Sequence, residues 1–293
     1  MAQLIVNVNR LNRRSKIPAS FPDKLNILGI VLKGFRFESV EETTNALGKW
    51  YKDRENAYYW SGGLTALDAP PTISIKIQDL PINLPSEYKV GIDISHHNGI
   101  INWDAVKTAG TSFVYIKISE GVGTPDKMAK QNAGTAKKLG LKIGYYHFCH
   151  PDTRSGGTVI SDATAEADEA VNLVRTLSTP DLPLVLDLEN ENMPLNKSDF
   201  LQWIETFIDR VINKTETEPM IYSGKAYLDA RLSPNHSLGK YRIWIPRYEM
   251  NDAQKLRCPV GWTDWTMWQY TEHGKIGINP DFDINILKDK SLF

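Results

Sequence analysis

From Val90 onward, apolar residues gather into eight short runs: Val90 to Ser95, Phe113 to Ser119, Ile143 to Phe148, Leu184 to Glu189, Met220 to Ser223, Ile243 to Arg247, Thr266 to Tyr270 and Phe282 to Leu287. Amphipathic stretches separate the earlier ones: Trp103 to Ala109, Asp126 to Leu139, Asp162 to Leu177 and Ser198 to Asn213. In the last of these, Phe200, Ile204, Phe207, Ile208 and Val211 fall on one stripe, the 3.6-residue period of a core-facing helix. Strands alternating with helices predict parallel strands with the helices outside, and eight strands allow closure. The last three strands have little helix between them, so the barrel is expected to be irregular there.

The first part of the chain has a different rhythm. Leu4, Val6 and Val8 alternate with polar residues, Ile27 to Leu32 is a short apolar run closed by Gly34, and Phe35 and Phe37 alternate again. Trp50-Tyr51 and Tyr58-Tyr59-Trp60 read as aromatic strand fragments before Gly62 and Gly63. Short strands with turn signals predict a small all-β barrel. Between the two parts, Asp68 to Glu87 holds Pro70, Pro71, Pro81 and Pro85, which predicts a semi-extended linker. Alternation of Ile73, Ile75 and Ile77 also allows an added strand along one of the domains. The expected division is therefore 1–67, a linker at 68–87, and 88–293.

Length and charge narrow the function. The 293 residues suit two domains. A net charge of −1 supplies no global field to gather nucleic acid or an anionic membrane, although a local basic patch is compatible with it. The apolar runs are far shorter than the roughly 20 residues of a membrane span. Met1 to Ser20 has no uninterrupted apolar stretch and carries Arg10, Arg13 and Arg14, so no secretory leader is read there. Two cysteines make no disulfide framework, and Cys149, at the end of a strand, is expected as a small buried hydrophobe.

The chemistry concentrates at strand ends. Leu184-Val185-Leu186-Asp187-Leu188-Glu189 is an apolar strand ending in two carboxylates that alternation places on one face, with Leu186 and Leu188 on the other. Mutual repulsion at a barrel mouth raises the pKa of one member, the requirement for a general acid. Asp93 on the first strand and Asp283 on the last would join them, since first and last strands are neighbours in a closed barrel. Two carboxyl groups flanking a bond are the equipment of glycoside hydrolysis. Aromatic residues at strand ends, among them Tyr145, Tyr146, Trp244, Tyr248, Trp265, Trp268 and Tyr270, supply flat faces for sugar. Any one of them alone is more simply a core residue.

The segment from about Lys89 to Leu287 resembles glycoside hydrolase family 25, the lysozymes of the bacterial and phage muramidase type. The resemblance rests on Gly91-Ile92-Asp93-Ile94-Ser95 with Gly99, on Lys117-Ile118-Ser119-Glu120-Gly121, on Gly144-Tyr145-Tyr146-His147-Phe148 and on Asp187-Leu188-Glu189. Trp244 with Arg247-Tyr248, Trp268-Gln269-Tyr270 and Asp283 complete the order. It implies an α/β, irregular TIM-like (β/α) barrel that cuts peptidoglycan between N-acetylmuramic acid and N-acetylglucosamine without a cofactor or metal. Glu189 would be the general acid, Asp187 would orient the 2-acetamido group, and Asp93 and Asp283 would shape the charge. Tyr115, Lys117, Glu120, Tyr146, His147, Trp244, Tyr248, Trp268 and Gln269 would bind substrate; for Lys117 and Glu120 a supporting salt bridge is an equal alternative. Retention through that acetamido group and inversion through a water are both open at this point; the carboxylate separation bears on the choice, and the sequence does not give it.

Leu11-Asn12-Arg13-Arg14-Ser15, Leu32-Lys33-Gly34-Phe35, Gly48-Lys49-Trp50-Tyr51 and Tyr58-Tyr59-Trp60 resemble a bacterial SH3-like wall-targeting module. That resemblance implies a unit that binds stem or cross-bridge peptides and tethers the barrel to its substrate. The expected place of work is the cell wall or the extracellular space. Two rivals are open. A metal-dependent wall hydrolase or deacetylase would use His147, His150, His96, His97 and nearby aspartates, although His147 and His150 fall on opposite faces. A non-catalytic peptidoglycan-binding protein would not need Asp187 and Glu189.

Overall fold

The computed structural model describes residues 2–293 apart from 21, 23, 67–76, 78–79, 82–83, 249, 277–278 and 280. The chain divides into two compact units, Met1–Ile73 and Ser74–Phe293. Most of the Pro-rich stretch expected as a linker, including Pro70, Pro71, Ile73 and Ile75, lies outside the described residues. Ile77 lies within them and joins the apolar core of the second unit.

The first unit is all-β. Strands β1 (Ala2–Val6), β2 (Arg10–Arg14), β3 (Ile27–Leu32), β4 (Arg36–Ser39), β5 (Glu41–Asn45), β6 (Gly48–Lys52), β7 (Tyr58–Trp60) and β8 (Leu64–Ala66) form two sheets, ordered β4-β1-β8 and β3-β2-β7-β6-β5. Leu4, Val6, Leu11, Phe37, Ala57 and Tyr59 make its core. The Tyr59 hydroxyl donates to Asp53 at 2.8 Å, and Asp53 also caps the turn by accepting from the main-chain N–H of Glu55 and Ala57.

The second unit is a closed barrel. Its strands are β9 (Lys89–Ile94), β10 (Phe113–Glu120), β11 (Lys142–Phe148), β12 (Val185–Asp187), β13 (Met220–Tyr222), β14 (Ile243–Pro246), β15 (Met267–Gly274) and β16 (Phe282–Leu287). Neighbouring strands from β9 to β15 are parallel, while β16 runs antiparallel to both β15 and β9. Helices α1 (Trp103–Thr108), α2 (Ala129–Lys138), α3 (Val159–Thr176), α4 (Lys197–Thr215) and α5 (Lys225–Arg231) follow the first five strands in turn. Among the described residues no α-helix separates β14, β15 and β16, and a single 3-10 turn at Ala253–Lys255 lies between the first two, which matches the irregularity expected from the sequence.

Alternation sorts the barrel side chains. The outward set, including Ile92, Ile116, Ile143, Leu186, Leu188, Ile221 and Ile284, packs on the helices. The α4 stripe Phe200, Ile204, Phe207, Ile208 and Val211 is buried with Trp203 against α3, where Ala163, Ala167 and Ala170 leave room for it. Burying large side chains of this kind contributes roughly 1.5–3 kcal/mol each. The inward set fills the lower barrel with Phe113, Tyr115, Val185, Met220, Trp244, Met267 and Leu287. Two inward positions are glycine for this reason: a Cβ on Gly91 would meet the Phe113 ring at 2.4 Å, and one on Gly144 would meet the Tyr115 ring at 2.3 Å. Cys149 is buried as expected, and both cysteines are free thiols.

Candidate active site

The mouth of the barrel lies at the C-terminal ends of the parallel strands. Asp93 reaches it near the end of β9. Asp283 stands at the beginning of β16, and only the reversed direction of that strand brings it to the same end, in register with Asp93. Asp187 closes β12, and Glu189 follows two residues later, past an outward Leu188 whose N–H donates to the carbonyl of Tyr222.

Asp93 and Asp283 are fastened. Asn285 Nδ2 donates to Asp93 Oδ2 at 2.7 Å and Gln269 Nε2 donates to the same oxygen at 3.0 Å. Gln269 Nε2 also reaches Asp283 Oδ2 at 3.3 Å, while Gln269 Oε1 accepts from the hydroxyls of Tyr222 and Tyr248, both at 2.8 Å. Burial pushes Asp93 up to about 6 against the hydrogen bonds from Asn285 and Gln269. Burial and then the nearby Asp93 charge push Asp283 up to about 9, so the proton of the pair resides on Asp283.

Asp187 and Glu189 are held more loosely. Asp187 is 5% exposed, and its Oδ1 has no hydrogen-bond partner among the described residues. Burial, followed by the Glu189 charge, raises its pKa well above the ordinary carboxylate range. Glu189 is exposed at the mouth, yet the walls crowd its water shell. That desolvation and the Asp93 charge raise its pKa, while the Lys117 ammonium and the Tyr222 hydroxyl favour the ionised form. Glu272, past the middle of β15, adds a further repulsion felt at both Glu189 and Asp283.

The remaining candidates divide by depth and by face. Tyr146 and Tyr248 are partly exposed at the mouth, and the charges of Asp93, Asp187 and Asp283 reinforce burial in raising the Tyr146 pKa. Lys117 is nearly buried, ion-paired to Glu120 at 2.7 Å and stacked over Phe148 at 4.8 Å, so the supporting salt bridge is present. His147 is a correction: it points away from the mouth and is fully buried, with Nδ1 on Ser119 Oγ at 2.8 Å, Nε2 on Glu166 at 2.9 Å and its ring on Phe207 of α4. Trp268 is a second correction. It faces the helices with no exposure, and its Nε1 donates to the Arg247 carbonyl. Tyr115 and Trp244 face inward but lie a layer too deep. Tyr115 donates to the Pro183 carbonyl, and Trp244, 2% exposed, packs on Tyr115 and Tyr222. Gln269 faces the mouth, but its hydrogen-bonding capacity is taken up by the acids and tyrosines, which makes it a brace.

Three groups near the acids escaped the sequence reading. Tyr222 was inside a predicted strand and shares the inward face, and Asn285 follows Asp283 by two residues on the same face, so alternation alone would have nominated both. Glu272 follows the helix-facing Trp268 and Tyr270, and alternation would have put it on their face; the register shift in β15 after Gln269 breaks that pattern. For metals, the ligating atoms of His147, Cys149 and Glu166 lie within 4.8 Å of one another. They sit behind the barrel, both His147 nitrogens are hydrogen-bonded, and burial pushes the Cys149 thiol well up, which opposes thiolate ligation. His150 is not part of that group.

Residues 92–277 match the family model described as glycosyl hydrolases family 25. The chain is 32% identical over 204 residues to lysozyme M1 of Streptomyces globisporus, covering 67% of this chain and 66% of that one. It is 29% identical over 198 residues to the autolytic lysozyme of Clostridium acetobutylicum, covering 67% and 54%. Among solved structures, the bacterial lysozyme from Streptomyces coelicolor superposes with a TM-score of 0.60 at 29% identity over 69% of this chain and 92% of that chain. All these matches leave about a third of this chain uncovered. A family match that spans most of the barrel, on a fold shared with a solved bacterial lysozyme, means that this chain belongs to glycosyl hydrolases family 25.

Proposed function

We propose that the barrel is a muramidase that hydrolyses the β-1,4 bond between N-acetylmuramic acid and N-acetylglucosamine in peptidoglycan, with Glu189 as general acid. The observation that carries this reading is the contrast at the mouth: Glu189 is open to substrate with a raised pKa, beside a buried Asp187 whose Oδ1 has no partner among the described residues. The two carboxyls repel each other and together favour holding a proton. An acetamido N–H placed on the free Asp187 oxygen stabilises that carboxylate and leaves the proton on Glu189. Glu189 then delivers it to the glycosidic oxygen as the bond to the anomeric carbon breaks. Asp93 and Asp283 hold negative charge below the reacting sugar, and Tyr146 and Tyr248 offer ring faces and hydroxyls at the rim. The names of the similar lysozymes support the same substrate class.

The test is digestion of purified peptidoglycan with the full chain and with Glu189→Gln, followed by mass spectrometry of the fragments. New muramic acid reducing ends from the wild type and none from the variant are expected. Intact glycan strands across several wall types would overturn the reading.

The first unit is proposed to be an SH3-like module that anchors the enzyme to stem or cross-bridge peptides of the wall, where the enzyme acts outside the membrane. A recess of about 550 Å³ beside the exposed Leu28, Ile30 and Phe35 of β3 and its turn supports a ligand-binding role. Sedimentation of Glu189→Gln chain with purified walls, compared with the same chain carrying Ile30→Asp, tests it. Equal sedimentation of the two proteins would remove this surface from wall binding.

A further inference from the structure

His150 is a side chain at the mouth that the hydrolytic chemistry leaves unused, yet both of its ring nitrogens are engaged. Nδ1 lies 3.1 Å from Arg154 Nη2, and Nε2 lies 3.1 Å from Glu120 Oε1. A guanidinium only donates, so Nδ1 accepts and Nε2–H donates to Glu120. The other Glu120 oxygen accepts from Lys117 Nζ at 2.7 Å. The ammonium rests on the Phe148 ring, and Phe148 is in register with Asp187 across β11 and β12. A continuous chain of contacts therefore runs from Arg154 through His150 and Glu120 to a cation beside the Asp187–Glu189 pair.

The imidazole is well fixed. Its ring meets Phe148 edge-on with centroids 5.5 Å apart, and its main-chain N–H donates to Glu166 at 3.0 Å. It lines a recess of about 260 Å³ with Glu120, Asp152, Arg154, Asp162 and Glu166. The other acids there are committed elsewhere: Asp152 to Arg154, Asp162 to Trp203 at 2.8 Å, and Glu166 to His147. Glu120 is the acid that the Nε2–H engages.

We propose that His150 is a positioning residue of the hydrolytic reaction: through Glu120 it holds the Lys117 ammonium off the Asp187–Glu189 pair and so sets the pH range over which the pair works. Without the clamp, Glu120 is freed at the partly exposed rim, and Lys117 turns to the remaining carboxylates, Asp187 and Glu189. A cation drawn an ångström or two closer favours their ionised forms by about one pH unit at the effective dielectric of such a site. The inference rests on the muramidase reading for its kinetic readout alone.

The experiment compares the full chain with His150→Ala and His150→Gln. The glutamine amide restores an N–H donor near the Nε2 position and does not titrate. Two quantities are read: the pH dependence of kcat/KM on peptidoglycan, and the titration of the Glu189 carboxyl by 13C NMR, which needs no turnover. His150→Ala is expected to move the basic limb and the Glu189 titration about one pH unit toward acid, and His150→Gln to leave both at the wild-type position. An unchanged titration in His150→Ala would overturn the proposal, as would equal shifts in both variants. If His150→Ala does not show a cooperative melt, Glu120→Gln releases the same lysine and is expected to shift in the same direction. Wild-type protein that cuts no peptidoglycan would sink the muramidase reading, and the NMR titration would still decide the role of His150.

Discussion

The two acid pairs at the barrel mouth share a strand-end position and differ in how they are tied. Asp93 and Asp283 are braced by Asn285 and Gln269, and Gln269 is itself braced by Tyr222 and Tyr248. Asp187 has an oxygen with no partner among the described residues, and Glu189 stands open at the rim. A braced pair stores its proton, because every alternative arrangement breaks hydrogen bonds in a low-dielectric site. A loose pair can hand its proton over. Burial and mutual repulsion raise pKa values in both pairs, so the difference in chemistry comes from the bracing rather than from the carboxylates.

Removing the loose proton should have the largest effect. Glu189→Gln keeps shape and loses the acid, and is expected to lower kcat by about 10²- to 10⁴-fold, the usual contribution of a positioned general acid. Reducing-end release under substrate saturation measures it, and less than a tenfold loss would move the acid role to another residue. The braced pair should break differently. Gln269→Leu removes one of the two donors to Asp93 and takes the acceptor from the Tyr222 and Tyr248 hydroxyls, so stability should fall by about 1–3 kcal/mol. Urea unfolding followed by tryptophan fluorescence reads this, and an unchanged midpoint would mean that the brace is ornamental.

A third variant separates the pairs by pH. In the unfolded chain Asp283 titrates near 3.8, whereas in the folded protein it titrates at about 9. Between these values the native state binds a proton that the unfolded state has released. This contribution to stability is fully present below pH 4 and is lost progressively as pH rises toward 9. Asp283→Asn mimics the neutral acid and should escape that loss. Its melting temperature relative to wild type should therefore climb between pH 4 and pH 9, by on the order of a few °C. A constant offset across that range would show that Asp283 is ionised in the native state.

The residues that form these pairs were legible because alternation on a short strand is strict. Asp187 and Glu189 two apart on an apolar strand must share a face, and the face that packs helices was marked by Leu186 and Leu188. The errors have two physical sources. His147 and Trp268 sit next to inward residues, Tyr146 and Gln269, and one step along a strand reverses the face. Tyr115 and Trp244 have the right face at the wrong height: each inward position lies about 6–7 Å below the next, and the barrel closes over them with an aromatic layer. The position of Asp283 at the mouth depended on a reversed last strand. Nothing local in Phe282 to Leu287 announces its direction, which follows from the short connection, residues 275–281, between the end of β15 and the start of β16. The seven-residue α5 also left no periodic signal.

The smallest expected effect comes from a carboxylate whose pKa moves the other way. Asp168 on α3 accepts from Arg210 Nε and Nη2 of α4 at 2.7 and 2.8 Å, with Lys214 at 2.9 Å, and these partners pull its pKa down to about 2. Its folded value lies below its unfolded one, so the pair stabilises above about pH 4, and that contribution is lost as pH falls toward 2. The group is partly solvated, so Asp168→Asn should cost no more than about 0.2–1 kcal/mol. The cost should be flat from pH 5 to 8 and vanish near pH 2, a slope of opposite sign to that of Asp283→Asn. Melting curves of both variants over one pH series test the contrast directly. If the two differences ran in the same direction, general charge repulsion would govern both sites, and the distinction between a carboxylate crowded by acids and one clamped by an arginine would fail.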